Sequence, residues 1–515
     1  MTLGARAAML AAAVAALVAV PVAMRTGPAA PPAGAAEVIV WTPNNEQIRA
    51  EFGEAFARWH ERRFGTPATV TWNTPGGIGD IRRILEAGAV AALRAGTPVG
   101  GGGDVLFGGG LYDFEQLTRP VEVTAGSERR SATVLEPIAF DPAFLQDAFG
   151  DGTVGGRPLL DPQGHWFASA LAAFGLAWNN DALARLGVPA PTGWEALADP
   201  RLAGEVALVN PAQSGSVATA METVLRQEGW ERGWAILRRA AANARTVAAS
   251  GTRAPVDVAS GEAAIAPCID FYGRSEQQSV ADGGSPGRMG YMEPAGRTAV
   301  EPDPIGLLRG APHPETARRF IEFVLSADGQ RLWQLPPGSE GGPRRFALRR
   351  LPARRSLYAA EGARFMDRVD PWAIAGAPRD RDPDLRAFVA PIFVALAVDN
   401  RDALRDAWAR IRAHPAYPRD GRVLLARDAS DPGLRAMLEA FDAMPTVPGP
   451  DGARFDLSVR ESLAPVRAGW LRGGWEGTGL WRTGEAPAEA FRRVLAAETA
   501  RQLAAVGAGR LEARR

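Results

Sequence analysis

The chain has 515 residues, 23% of them charged and 46% hydrophobic, a composition typical of folded globular domains. Basic and acidic residues both total 58, so no net charge attracts nucleic acid or an anionic membrane. Every basic residue is arginine and Cys268 is the single cysteine, which excludes lysine phosphate loops, Schiff bases, internal disulfides and multi-thiolate zinc sites. We therefore expect no nucleic-acid partner, no cofactor and no metal.

The first 36 residues have the pattern of an export signal. Arg6 precedes an apolar run at residues 7–23, and a stretch rich in proline, alanine and glycine follows at residues 27–36. A full membrane span usually needs about 20 apolar residues, so an uncleaved anchor flanked by Arg25 stays open as an alternative to cleavage. Since no cysteine directly follows the run, we expect a periplasmic or other extracytoplasmic protein that is not a lipoprotein.

Strands and helices alternate from residue 37 onward. The pattern predicts strands at residues 37–41, 68–72 and 104–107, a helix at residues 47–64, and a second helix that runs from the glycine turn at residues 76–79 to about residue 95. Connections of this length join parallel strands, so we predict an α/β sheet.

The middle of the chain repeats this alternation. Further strands are predicted at residues 174–178, 205–209, 245–248, 263–269 and 304–308, and further helices at residues 181–186, about 214–228, 255–260 and 314–325.

From about Pro343 helical patterns dominate. The predicted helices are residues 387–398, 401–411, 432–443 and 487–502. We interpret the arginine cluster at residues 344–355 as a solvated, salt-bridged surface, and the whole region 343–515 as a helical extension on the α/β body.

Catalytic signatures are nearly absent. Residues 283–287 match the letters Gly-x-Ser-x-Gly, but a nucleophile elbow needs a strand before the serine and a helix after it, whereas Pro286 follows Ser285 here. We therefore interpret this segment as a loop. An acid pair of the glycosidase type stays open, because carboxylates are plentiful and nothing marks one pair.

Two segments are candidates for ligand binding. At the turn Gly76, Gly77, Ile78 and Gly79, backbone N–H groups at a helix start can face an anionic or acceptor group, although such a turn is often only a turn. At residues 210–216 a strand ends where Ser214, Gly215 and Ser216 open the next helix, which offers hydroxyls and free N–H groups. The alternative for these serines is simple helix capping.

Several motifs in order resemble the extracellular solute-binding proteins of ABC importers, in the branch with ferric-iron, polyamine, thiamine, phosphonate and sugar-phosphate binders. The resemblance covers roughly residues 37–334 and is carried by the runs at residues 174–183, 187–197, 199–204, 210–216, 261–272, 302–312 and 317–326.

The resemblance implies an α/β type II periplasmic-binding fold with two lobes joined at a hinge. Lobe one would comprise residues 37–175 and 268–342, and lobe two residues 176–267. The ligand would lie between loops of both lobes. The loops at residues 41–43, 76–79, 108–110 and 214–216 also follow predicted parallel strands, and α/β folds bind ligands at the carboxyl ends of such strands. The implied ligand-binding residues are Trp41, Thr42, Gly76, Gly77, Ile78, Gly79, Gly108, Gly109, Ser214, Gly215, Ser216, Asp270 and Tyr272.

The function implied by the resemblance is capture of a small polar solute by hinge closure, for delivery to an ABC transporter permease, by a protein that is a monomer and not an enzyme. Iron-binding relatives carry a tyrosine pair where this chain has Phe271 and Tyr272, which argues against ferric ligands. Glycine- and serine-rich helix starts favour an anionic or zwitterionic metabolite such as a phosphonate or sugar phosphate.

Alternatives to this interpretation stay open. A cationic ligand such as a polyamine or thiamine would suit a group of carboxylates, namely Asp270, Glu293, Glu301 and Asp303. Two other functions are a membrane-anchored sensor or scaffold that uses the same fold, and a cleft enzyme.

Overall fold

The computed structural model describes residues 34–378, 382, 384–482 and 484–512. The expected signal or anchor segment therefore lies outside the described residues except at its end, where Ala36 already begins the first strand. In the part of the chain that is described, no helix combines the length and the apolar character that a membrane span requires.

The strands are β1 Ala36–Trp41, β2 Ala68–Asn73, β3 Val105–Phe107, β4 Val121–Ala125, β5 Glu128–Ala132, β6 Leu135–Glu136, β7 Thr153–Val154, β8 Arg157–Pro158, β9 Phe167–Asn179, β10 Val206–Val209, β11 Ala244–Ala248, β12 Ile265–Ile269, β13 Met289–Met292, β14 Val300–Leu308, β15 Thr446–Pro448 and β16 Arg454–Asp456.

The α-helices are α1 Glu46–Phe64, α2 Ile78–Ala95, α3 Leu111–Leu117, α4 Pro142–Phe149, α5 Asn180–Leu186, α6 Gly215–Glu228, α7 Trp230–Ala242, α8 Arg253–Ser260, α9 Asp270–Asp282, α10 Pro314–Leu325, α11 Ala327–Arg331, α12 Ser356–Glu361, α13 Pro371–Ile374, α14 Leu385–Ala397, α15 Arg401–Arg412, α16 Pro432–Asp442, α17 Leu463–Val466 and α18 Pro487–Glu512. Short 3₁₀ turns lie at Trp194–Ala198, Pro200–Leu202, Gly362–Arg364, Ala426–Asp428, Pro450–Gly452 and Arg460–Ser462, and a π-helical segment at Arg467–Leu471.

Local sequence signals explain the first helix. The side chain of Asn45 accepts a hydrogen bond from the N–H of Ile48 and so caps the start of α1, and Gly65 takes a left-handed conformation at its end. The apolar residues that the spacing places on one stripe, including Phe52 and Phe56, are fully buried against the sheet of lobe one.

The sheet of lobe one has the strand order β2-β1-β3-β14-β9. Strands β1, β2 and β3 are parallel, with Val38 opposite Val70. Strand β14 returns antiparallel to both β3 and β9. Because the order reverses beside β1, the carboxyl ends of β1 and β3 form a topological switch point, where open α/β sheets bind ligands.

Strand β9 passes from lobe one into lobe two. Its first half pairs with β14, down to Ala173 opposite Val300, and its second half pairs with β12, from Phe174 opposite Ile269. Twelve of its 13 residues are buried, because both lobes pack on the strand. We expected a strand only at residues 174–178; the preceding alanine-rich stretch has low strand propensity and is held in the sheet by tertiary packing.

The sheet of lobe two has the order β11-β10-β12-β9, and β13 pairs with the other edge of β9. Met289–Met292 therefore belongs to the sheet of lobe two, whereas the implied boundary put residues 268–342 in lobe one. The Ser285 loop lies between helix α9 and strand β13. It thus has a helix before it and a strand after it, the reverse of a nucleophile elbow.

The region after residue 343 packs on both lobes. Leu348, Leu351 and Ala353 join the core of lobe one, and the helices from α14 onward share one continuous core with lobe two. The chain passes from lobe one to lobe two a last time near Ala375 and Gly376. Ala375 forms a β-bridge with Thr298, and the N–H of Gly376 donates to the carbonyl of Thr298.

The predicted fold class is confirmed: two α/β lobes in the type II order, with a mostly helical C-terminal extension. The four helices predicted in the extension are observed at nearly the expected residues. The extension also contains the antiparallel strand pair β15 and β16, which the sequence pattern did not indicate.

Candidate ligand-binding site

A cleft of about 650 Å³ lies between the two lobes. Lobe one contributes the segments that follow β1 and β3 and the start of α2. Lobe two contributes the start of α6 and the beginning of α9. Its size and its position at the carboxyl ends of parallel strands are those of a small-molecule site in an α/β protein.

The structure brings seven of the thirteen residues implied by the resemblance to this cleft. They are Gly77, Ile78, Gly109, Ser214, Gly215, Ser216 and Tyr272.

Two other implied residues, Trp41 and Thr42, do not line the cleft. The indole Nε1 of Trp41 donates to the carbonyl of Gly102 at 2.7 Å, and the ring packs in a core. The hydroxyl of Thr42 is fully buried and donates to the carbonyl of Phe107 at 2.6 Å. Both side chains therefore position the turn that follows β1, and the next residues, Pro43 to Asn45, line the cleft in their place.

The glycines Gly76, Gly79 and Gly108 also lie outside the cleft lining. Gly79 is in the first turn of α2, and Gly76 lies against the carboxylate of Asp80. Gly108 has φ +84° and donates its N–H to the carbonyl of Pro304 at 2.8 Å. Its left-handed conformation turns the chain so that Gly109 lines the cleft instead.

Asp270, the last of the thirteen, is fully buried behind the cleft wall. Its carboxylate accepts hydrogen bonds from the N–H groups of Ala173 at 3.1 Å and Phe271 at 2.8 Å. Burial raises the pKa of Asp270, and Arg274, at 3.8 Å, opposes that shift. Asp270 thus joins the backbone segments at Ala173 and Phe271 and lies outside the cleft lining.

The start of helix α6 faces the cleft without a side-chain cap. Ser214 occupies the N-cap position, but among the described residues its hydroxyl makes no capping hydrogen bond and instead lies 3.2 Å from the hydroxyl of Ser216. The first N–H groups of a helix have no intrahelical partner. Free N–H groups and two hydroxyls therefore face the cleft, and the capping alternative is not supported for Ser214.

Six arginines line the cleft in the described part of the chain, and sequence reasoning missed all of them. They are Arg119, Arg157, Arg226, Arg350, Arg386 and Arg467. No local signal distinguishes them, because arginine supplies every basic residue of the chain.

The arginine cluster at residues 344–355 is only partly the solvated surface that we expected. Arg344 and Arg345 are exposed and pair with Glu54 at 3.6 and 2.6 Å. Arg349, Arg350 and Arg354 are buried, each paired with an aspartate. The cluster is salt-bridged as predicted, but half of it is buried, and two of the three aspartate partners, Asp303 and Asp367, are themselves largely buried.

Glu222 on α6 is surrounded by three guanidinium groups. Arg226 lies 2.8 Å away, Arg386 of α14 lies 3.5 Å away, and Arg157 of lobe one lies 3.8 Å away. Arg157 also pairs with Glu301 at 2.7 Å. Among the described residues the cleft lining as a whole carries six arginines against five carboxylates, and this small excess of positive charge favours an anion.

The environment shifts several pKa values at the cleft. Burial lowers the pKa of Arg157, but Glu301 and Glu222 outweigh this effect, so that its net shift is upward. Burial raises the pKa of Glu301 and of Glu115, with Arg157 opposing in both cases. Burial also raises the pKa of Tyr272, which keeps its phenol protonated at neutral pH.

Among the described residues no group of histidine, cysteine, aspartate and glutamate side chains has an arrangement that could hold a metal ion. The described cleft lining combines six arginines, hydroxyls and N–H groups with five carboxylates, which are Asp113, Glu115, Glu222, Glu301 and Asp303. The donors among these groups bind charged oxygens with short, strong hydrogen bonds.

A cleft between two α/β lobes joined by crossing strands defines the class of two-lobed binding proteins. Residues 152–335 match the model of the family described as bacterial extracellular solute-binding protein. The resemblance drawn from the sequence motifs is confirmed.

The similar proteins include the phosphoglycerate transport regulatory protein PgtC of Salmonella typhimurium, 28% identical over 200 residues, which are 37% of this chain and 48% of PgtC. The chain thus spans about half the length of this curated relative. Similar solved structures include the periplasmic binding protein P5PA (18% identity, TM-score 0.49, 73% of this chain and 98% of that one). Another is iron-bound HitA from Pseudomonas aeruginosa (17% identity, TM-score 0.48, 71% and 99%).

Proposed function

We propose that this chain is the solute-binding component of an ABC import system and captures a small anionic metabolite in the cleft between its lobes. The observation that carries the proposal is that Arg157 of lobe one, Arg226 of lobe two and Arg386 of the extension meet around Glu222 in the cleft. The uncapped start of α6 lines the same cleft. A helix N-terminus and guanidinium groups together form a binding site for phosphate or carboxylate.

A cationic ligand is disfavoured at the four carboxylates that the sequence suggested for one, because each already has an arginine partner. Asp270 and Glu293 pair with Arg274, and burial raises the pKa of both. Glu301 pairs with Arg157, and Asp303 pairs with Arg350. A polyamine or thiamine would have to displace these arginines.

A ferric ligand is also disfavoured. Phe271 takes the place of one tyrosine of the pair found in iron-binding relatives, and the ring of Tyr272 lies 4.1 Å from it. A phenol binds ferric iron as phenolate, and the raised pKa of Tyr272 makes that form costly.

A phosphorylated small acid suits the cleft best. Its phosphoryl group matches the donors at α6, and its carboxylate matches the remaining arginines. The Salmonella relative is named for phosphoglycerate transport. Phosphoglycerate likewise carries a phosphoryl group and a carboxylate. We therefore place phosphoglycerates and sugar phosphates first among the candidate ligands.

Hinge closure would couple capture to delivery. Strand β9 and the segment between β13 and β14 join the lobes, and an anion that contacts both lobes stabilises the closed form by its differential affinity. The membrane permease would bind the closed form. The protein would be a periplasmic monomer without catalytic activity, exported by residues 1–36 or tethered through them.

A thermal-shift screen tests this proposal. Phosphoglycerates, sugar phosphates, phosphonates, spermidine, thiamine and ferric citrate are each added to the protein purified from residue 34 onward. A ligand at 100 times its Kd adds about 2.7 kcal/mol to the free energy of unfolding. Stabilisation by phosphorylated anions is expected; stabilisation by spermidine, thiamine or ferric citrate alone would overturn the ligand class.

A ligand sensor is the second candidate, because the printed name of the Salmonella relative describes a regulatory protein. A binding component is required for uptake of the labelled ligand by cells, whereas a sensor changes only the expression of the transport genes. Uptake in a deletion strain that expresses the transporter from an independent promoter separates the two. Release of inorganic phosphate from the bound ligand would instead indicate an enzyme.

A further inference from the structure

Three of the six arginines that line the described cleft lie C-terminal to residues 152–335, the segment that matches the family model. Arg350 precedes the last crossing between the lobes, and Arg386 and Arg467 belong to the helical part of the extension. The extension therefore does more than cover the outside of lobe two, since it supplies positive charge to the cleft.

Arg386 has the most informative surroundings of these three. Its Nη1 donates to the hydroxyl of Thr219 at 3.2 Å, and its Nη2 donates to the carbonyl of Gly215 at 3.2 Å. Across the cleft its guanidinium lies 5.9 Å from the ring centroid of Tyr112 in lobe one. The side chain thus lies beside the start of α6 and next to both lobes. A guanidinium group has five N–H donors, so these contacts leave donors for a ligand.

Several sources of positive potential meet at Arg386. Arg386 is in the first turn of its own helix, α14, and beside the first turn of α6. Helix N-termini carry partial positive charge, so two of them and a guanidinium group repel one another. Glu222 lies 3.5 Å from Arg386 and is shared with Arg157 and Arg226, so a ligand anion would add to the negative charge already present there.

The position of Arg386 is nevertheless fixed. Leu385, Phe388, Val389 and Ile392 of α14 are buried in the core shared with lobe two, and α14 packs on α6. A side chain that projects from so rigid a helix is preorganised for binding, which lowers the entropic cost of ligand capture.

Arg350 is a buried arginine of the extension that also lines the cleft. It is 5% exposed, its guanidinium stacks on Phe271 at 4.8 Å, and it pairs with Asp303. Its buried Nε has no hydrogen-bond partner among the described residues. A buried donor without a partner is costly, and a ligand oxygen in the cleft would supply one.

We infer that the C-terminal extension is part of the binding site, and that Arg386 and the N–H groups at the start of α6 together bind the phosphoryl group of the ligand. This inference rests on the proposed function and deepens it. It assigns the discrimination between phosphorylated and unphosphorylated ligands to a residue outside the matched segment.

The test compares Arg386→Gln with Arg405→Gln, a control at an exposed arginine of the neighbouring helix α15. Isothermal titration measures Kd for 3-phosphoglycerate and for glycerate, and for fructose 6-phosphate and fructose. Loss of one charge-assisted contact should weaken binding of the phosphorylated member of each pair by about 10- to 100-fold. Binding of glycerate and fructose should be unchanged, and the control variant should match the wild type.

Each outcome has one meaning. Equal weakening of glycerate and 3-phosphoglycerate, or no weakening by Arg386→Gln of a ligand that the wild type binds, overturns the role of Arg386 and leaves the proposed function intact. A wild type that binds spermidine or ferric citrate but no phosphorylated ligand overturns both. Thermal unfolding without ligand checks that the variant is folded. If it is not, Arg386→Lys, which keeps the charge but not the planar donor pair, replaces it and should weaken phosphoryl binding by a smaller factor.

Discussion

Arg157 of lobe one and Glu222 of lobe two lie 3.8 Å apart across the cleft. The same guanidinium pairs with Glu301 on the crossing strand β14 at 2.7 Å. Charges of both lobes therefore meet at the place where the ligand is expected, and the balance between them sets the affinity for an anion. The predictions below change that balance or the framework that holds it.

Replacing Glu222 by glutamine removes the carboxylate that three arginines share. The variant should bind 3-phosphoglycerate more tightly, because the ligand then replaces the lost negative charge. Its free energy of unfolding without ligand should fall by about 3 kcal/mol, as expected when one member of a buried ion network is removed. Urea unfolding and isothermal titration measure the two effects.

Glu439→Gln, at an exposed position of α16, is the matched control and should change neither quantity. If Glu222→Gln weakened anion binding instead, the main role of Glu222 would be to hold the arginines in position, and its charge would not oppose the ligand.

The double variant Ser214→Ala, Ser216→Ala should weaken binding of 3-phosphoglycerate by about tenfold, since two hydroxyl donors are lost. The free energy of unfolding without ligand should change little, because Ser214 makes no capping hydrogen bond. Asp431→Ala is the control, since Asp431 caps α16 by accepting from the N–H of Leu434 at 2.8 Å and its loss should cost about 1 kcal/mol.

A large loss of stability in the serine variant together with unchanged affinity would mean that these serines serve the helix and not the ligand.

Trp408→Ala tests whether the extension folds as one unit with lobe two. Trp408 is fully buried, and its indole N–H donates to the buried amide oxygen of Asn243 at 2.8 Å. The variant should lose about 3–5 kcal/mol, and fluorescence and circular dichroism should still report a single transition for lobe two and the extension. A separate early transition of the extension with unchanged ligand binding would show that the two are independent.

The stability of the unligated protein should depend on pH through Glu301. Burial raises its pKa in the folded state, so between its ordinary value of 4.5 and the raised value the native state binds more protons than the unfolded state. The free energy of unfolding therefore falls as pH rises through that window, by at most about 1.4 kcal/mol per pH unit for one group.

Urea unfolding of the wild type and of Glu301→Gln at several pH values between 4.5 and 7 measures this contribution. The wild type should lose stability relative to the variant as pH increases. A constant difference, or one of the opposite sign, would show that Arg157 outweighs burial at this site.

Much of the fold could be predicted because its signals are local. The stripe of Phe52 and Phe56, the cap at Asn45 and the glycine at residue 65 define α1 without reference to the rest of the chain. Strand β9 is different, since its alanine-rich first half is a strand only because both lobes bury it. Strand β13 is likewise defined by its partner β9 and has no pattern of its own.

The sequence indicated the loops of the candidate site but not its charged side chains. Glycine- and serine-rich turns such as Gly77 and Ser214 are recognisable because backbone geometry needs those residue types. Arg386 is not, because its role depends on how α14 packs against α6 more than 150 residues earlier in the chain. Trp41 and Asp270 were expected at the ligand, but their hydrogen bonds hold the backbone behind the cleft.

A crystal structure of the protein with 3-phosphoglycerate tests the central claim most directly. We expect the phosphoryl group within hydrogen-bond distance of the N–H groups of Gly215 and Ser216 and of the guanidinium of Arg386, with the lobes closer together than without ligand. A cleft that stays empty at saturating 3-phosphoglycerate, or an anion bound on the outer surface alone, would contradict the account.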